Sequence, residues 1–167
     1  MFRKILVAVS ANSVDPVLAS ALEAARRYDA QLIALHVVDP TPCYMGAADC
    51  NFGVVVDALE AHGRRFVAQV AAKLEDQPHP AEARMIVLPL SGMTVGAAIV
   101  SVAEETGADL IMLGEHKASW WRWLNEDVAL EVARCTDRPF QVVGGMTTSR
   151  LRRGAGRWTN ASPAGAR

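Results

Sequence analysis

Leu110-Ile111-Met112-Leu113-Gly114-Glu115-His116-Lys117-Ala118-Ser119-Trp120-Trp121-Arg122-Trp123 is the stretch that decides how this chain folds. Its first four residues form a short, fully apolar run, as expected of a strand covered on both faces. Directly after such a strand, a nucleotide-binding α/β protein carries a glycine-rich loop. Backbone that wraps a phosphate approaches it closely and adopts positive φ, which side chains obstruct. Here Gly114 is the single glycine among bulky residues. The stretch reads as a nucleotide-binding fold without its nucleotide site.

Four further apolar runs flank it: Ile5 to Val9, Gln31 to Val38, Arg84 to Leu90 and Phe140 to Val143. With Leu110 to Leu113 they make five buried parallel strands. Amphipathic helical patterns alternate with them: Leu18, Leu22 and Ala25; Val55, Leu59, Phe66 and Val70; Val95, Ile99, Val102 and Thr106; Leu124, Val128, Val132 and Cys135. Asp15-Pro16 pairs an N-cap with proline at the first helical position, Thr94 caps the third pattern, and Gly107 sits where a left-handed C-terminal residue belongs. Right-handed crossovers fold this βαβαβαβαβ order into a doubly wound sheet with helices on both faces. Ligands of such sheets bind at the carboxyl ends of the strands, where the winding direction reverses. With the first and fourth strands flanking the reversal, the mouth is formed by Ser10 to Val14 and Gly114 to Trp123.

The 167 residues, 51% hydrophobic and 21% charged, suit one globular domain with a sizeable core. A net charge of -1 provides no strong field for nucleic acid or anionic membrane. The charge is unevenly spread, because residues 147–167 hold five arginines and no acid, leaving residues 1–146 with 12 bases against 18 acids. The expected organisation is therefore a domain over 1–146 and a basic, disordered tail over 147–167. The run Ile5 to Val9 is too short for a signal peptide's apolar region, and no stretch reaches the length of a membrane span. Cys43, Cys50 and Cys135 are odd in number and form no CxxC pair, which suits reduced thiols and a cytoplasmic location.

Ile5-Leu6-Val7-Ala8-Val9, Leu35-His36-Val37-Val38, Ser91-Gly92, Ala108-Asp109-Leu110-Ile111-Met112-Leu113-Gly114 and Arg138-Pro139-Phe140-Gln141-Val142-Val143 resemble the successive landmarks of the universal stress protein family over residues 1 to 146. The resemblance implies a sheet in the order 3-2-1-4-5. The family's ATP-binding branch carries an acid at the end of the first strand and a G-x-x-G-(nine residues)-G-[ST] motif after the fourth. Here Ser10 replaces the acid; Gly114 fits the first glycine, but Lys117, Asp127 and Val128 stand at the second glycine, third glycine and hydroxyl positions. A carboxylate at Asp127 is repulsive to phosphate, and the lost glycines remove the cradle. Gly114-Glu115-His116 followed by Trp120-Trp121, with Tyr44-Met45-Gly46 and Asn51-Phe52-Gly53, is similar instead to the A-type branch, associated with dimerisation and stress survival rather than ATP.

Other residues carry weaker signals. His116 and Lys117 have no nucleophile, base and orienter set around them. Trp120, Trp121 and Trp123 either anchor a partner or roof the vacant crevice, and the second is favoured. His36 lies in an apolar strand pattern and reads as a satisfied core residue. His62, Cys43 and Cys50 lack compact metal-ligand spacing, so no metal is expected. Cys135 falls on an apolar helical stripe and reads as a small hydrophobe. The expectation is thus a non-enzymatic homodimer that acts on an unidentified protein partner, without a cofactor or a membrane, and touches nucleic acid at most weakly through its tail. In the 3-2-1-4-5 order, Phe140, Gln141, Val142 and Val143 form an apolar sheet edge and the expected dimer interface. The first rival binds ATP or AMP in a degenerate pocket drawn from Val9, Ser10, Val38, Gly114, Lys117, Asp127 and Val128. A second rival, an enzyme of the wider nucleotide-binding α/β group, is weakened by the absence of a P-loop or an HxGH signature.

Overall fold

The computed structural model describes residues 1–11, 14–46, 51–89, 92–114, 127–144 and 150–152. Six strands, β1 (Lys4–Ala8), β2 (Gln31–Val38), β3 (Ala81–Val87), β4 (Leu110–Gly114), β5 (Phe140–Val143) and β6 (Arg150–Arg152), form one sheet in the order β3-β2-β1-β4-β5-β6. The first five are parallel and keep the expected order, with Val7 aligned between Ala34 of β2 and Met112 of β4. Around them run α1 (Val14–Tyr28), α2 (Thr41–Gly46), α3 (Phe52–Glu75), α4 (Val95–Thr106) and α5 (Val128–Cys135).

Strand alternation divides the apolar runs between two cores. Ile5, Val7, Leu32, Ala34, Leu110 and Met112 bury against α1 and α3; Leu6, Ile33, Leu35, Ile111, Leu113 and Phe140 bury against α4 and α5. Both sets are needed because helices cover both faces, and this is why the strands read as continuous apolar runs. At the amino ends of the strands, the Asp109 carboxylate accepts hydrogen bonds from the backbone N–H of Arg3 (2.9 Å) and Lys4 (3.1 Å), fastening the start of β4 to β1.

The helix signals are largely local. Thr94 Oγ1 accepts from the Ala97 N–H at 3.1 Å, and Gly107 adopts φ 69°, as their residue types require. Asp15 departs from expectation. Because α1 begins at Val14, Asp15 lies in its first turn rather than at the cap, where its carboxylate takes Lys73 Nζ of α3 at 2.6 Å. Pro16 is still accommodated, since first-turn N–H groups have no intrahelical acceptor. Cys135 is exposed rather than part of the core stripe. The helix ends there, and Val132 is its fully buried residue.

Two strand expectations are corrected. The third strand spans Ala81–Val87, not Arg84 to Leu90. As an edge strand it is half-solvated, and its start carries Glu82 and Arg84, paired at 2.9 Å, in place of apolar residues. The second correction is at the opposite edge. Phe140 to Val143 is not a bare edge, because β6, from within the 147–167 segment expected to be unstructured, pairs antiparallel with it: Phe140 opposes Arg152, Gln141 opposes Leu151 and Val142 opposes Arg150. An apolar strand with unpaired donors and acceptors is a template for any nearby chain, and its own continuation is the nearest.

Candidate functional site

Both crossovers between β1, β2 and β3 run through α1 and α3 on one face, whereas those joining β3, β4 and β5 run through α4 and α5 on the other. The winding therefore reverses between β1 and β4. Their carboxyl ends open the crevice in which such sheets bind ligands.

Four of the expected residues stand at this end. Val9 follows β1, is buried, and donates its N–H to the Leu35 carbonyl at 2.9 Å. Val38 ends β2, is buried, and accepts from the Leu88 N–H at 2.9 Å. Gly114 ends β4, opposite Val143 of β5, and Ser10 is exposed beyond Val9. Asp127 and Val128 start α5, with Val128 half-buried against the α4 and α5 core. Lys117 lies outside the described residues, as do His116 and the Trp120, Trp121 and Trp123 cluster.

The start of α5 carries a carboxylate cap of its own. Asp127 is its N-cap, and Oδ1 accepts from the Leu130 N–H at 3.1 Å. Glu131 adds a second carboxylate in the first turn. A helix N-terminus attracts anions through its free N–H groups and its dipole. Here the anion is the protein's own side chain, so a nucleotide phosphate would meet an occupied donor and a like charge.

Beneath the crevice, the His36 ring lies with Nδ1 3.1 Å from the Val9 carbonyl and packs on Phe66 of α3 at 4.7 Å between ring centres. The neutral ring with hydrogen on Nδ1 donates to that carbonyl, tying β2 to the end of β1. His36 is thus satisfied, as the strand pattern suggested. Burial lowers its pKa, the Val9 carbonyl opposes this, and His62 on α3 lowers it further. Since the folded-state value lies below the unfolded one, protonation favours the unfolded chain. Stability is therefore full above the ordinary imidazole pKa of about 6.5 and falls as pH drops below it. Urea midpoints of the wild type should decline between about pH 7 and pH 5, and the decline should be shallower in His36→Gln; equal slopes would show that His36 is not the group responsible.

What the sequence reading missed is the closeness of α3 to this end of the sheet. A Cβ placed on Gly63 would sit 2.8 Å from both Val38 Cγ2 and Met85 Sδ, and 3.5 Å from the His36 ring. The available signal was a glycine inside a long helical pattern, which marks a close approach. Among the described residues, no group of three His, Cys, Asp or Glu could hold a metal ion, and no helix is long and apolar enough to cross a membrane.

The model of the universal stress protein family matches residues 1–144. Among solved structures, a universal stress protein family member from Burkholderia pseudomallei is 26% identical, with a TM-score of 0.61 over 84% of this chain and 93% of that one. The universal stress protein UspA from Lactobacillus plantarum is 22% identical, with a TM-score of 0.63 over 84% of this chain and 97% of its own. A universal stress protein from Archaeoglobus fulgidus, solved in complex with dAMP, is 22% identical, with a TM-score of 0.55 over 85% and 96% of the two chains. A search of curated proteins found no match.

Proposed function

We propose that this chain, which belongs to the universal stress protein family, is of the A-type and serves the stress response in the cytoplasm as a homodimer. It acts by binding another protein, without ATP and without a chemical step. The observation that carries this reading is Asp127, whose carboxylate caps α5 where the nucleotide-binding pattern has a glycine. Ser10 in place of the first-strand acid and Lys117 in place of the second glycine point the same way. The apolar β5 edge is the surface we assign to the dimer.

Calorimetric titration with ATP tests the nucleotide part. No saturable heat is expected at tens of micromolar protein, and a dissociation constant in the low micromolar range, about -8 kcal/mol, would overturn the reading. A variant combining Ser10→Asp, Lys117→Gly, Asp127→Gly and Val128→Ser should acquire measurable affinity if the altered motif is the obstacle. The second reading, an AMP-type ligand in the same crevice, is favoured by the dAMP complex of the Archaeoglobus fulgidus relative. Titration with AMP separates the two, because a monophosphate that binds where ATP does not would support that second reading.

A further inference from the structure

The two edges of the sheet are treated differently. At β3, Glu82 and Arg84 pair at 2.9 Å, Glu105 of α4 stands 3.7 Å from Arg84, and Pro80 precedes the strand. Charge and proline are the ordinary means of refusing a foreign strand. Such charges are missing from β5, where Gln141 is the single polar residue. Its edge is filled instead by β6, in three register pairs.

A strand of three residues on a strand of four is a marginal pairing, so it opens readily. It nevertheless has the advantage of a short tether, which gives the tail a high effective concentration at the edge. We propose that β6 is an intramolecular cap on the dimer edge: a second copy of this chain gains β5 only when both tails have left it. The inference rests on the preceding assignment of β5 as the dimer interface. Docking of β6 and antiparallel pairing of two β5 strands require the same backbone donors and acceptors, so they exclude each other. If the cap is closed nine times in ten, both copies must open, and the apparent dimer Kd rises about a hundredfold over that of an uncapped chain.

The test uses the full chain. The Pro139 carbonyl bonds to Ile111 of β4, so the Phe140 and Val142 backbones face β6. Arg152→Pro, opposite Phe140, therefore removes a ladder N–H and should tighten dimerisation at least about tenfold in sedimentation equilibrium, with unchanged circular dichroism. Conversely, Gln141→Cys with Leu151→Cys joins a directly opposed pair. In a background with Cys43, Cys50 and Cys135 changed to serine, the oxidised protein should be monomeric where its reduced form dimerises. A locked protein that dimerises as well when oxidised, or an Arg152→Pro chain that associates no better than wild type, would overturn the cap. Adding Gln141→Lys to Arg152→Pro distinguishes the two levels. If the dimer persists, the β5 interface is wrong and the cap falls with it; if the dimer is lost but the locked chain still pairs, only the cap is wrong.

Discussion

Phe140→Ala is expected to cost about 3–5 kcal/mol of folding free energy, the usual range for emptying a buried aromatic site. Phe140 is 1% exposed and packs with the α4 and α5 core, where Ile99, Val132 and Ile111 are also fully buried. That loss is a large share of the about 5–15 kcal/mol that holds a typical domain together. At about 2–4 °C per kcal/mol for a chain of this size, the melting temperature should fall by roughly 6–20 °C in calorimetry. Gln141→Lys, one residue along, is the contrasting case. The strand's alternation puts residue 141 on the other face, where a half-exposed polar side chain is exchanged for one that can reach water, and stability should change by less than about 1 kcal/mol. Its effect should appear in assembly instead. A Phe140→Ala melting point within a degree of wild type would mean that β5 is not seated on the α5 face.

Gly63→Val should be nearly as damaging, for the opposite reason. The first carbon of any side chain there enters a space already filled by Val38 Cγ2 and Met85 Sδ, each 2.8 Å away. The thioether of Met85 can turn aside. Val38 cannot, because its branched side chain is stiff and its strand is held by β1 on one side and β3 on the other. Overpacking of this kind costs about 1–3 kcal/mol, and valine adds two methyl groups to the first collision. Gly63→Ala should be milder, since alanine recovers up to about 1 kcal/mol of helix propensity against a smaller clash. Chemical denaturation should rank wild type, alanine and valine in falling stability. Alanine and valine variants of equal stability would show that α3 does not approach the sheet so closely. Since Val38 and His36 line this end of the sheet, the valine variant should also steepen or shift the acid destabilisation assigned to His36.

Features that depend on neighbours along the chain or on a periodic pattern could be read from the residues alone. Gln31–Val38 and Phe140–Val143 were legible to the residue because helices bury both faces of the sheet, so the apolar run and the strand coincide. Thr94 and Gly107 were legible because a hydroxyl cap and a left-handed terminus are local chemistry. The third strand was displaced by three residues because an edge strand is partly wet and its pattern is diluted by Glu82 and Arg84. Asp127 was half read: its charge was visible as an obstacle to phosphate, whereas its grip on the Leu130 N–H depended on where α5 begins. Which distant groups meet, such as His36 with the Val9 carbonyl, Gly63 with Val38, and Asp109 with the start of β1, follows from the packed fold. It also decided that residues 150–152 close the β5 edge. A three-residue strand has too little pattern to announce itself, and the backbone hydrogen bonds that hold it are the same for every sequence.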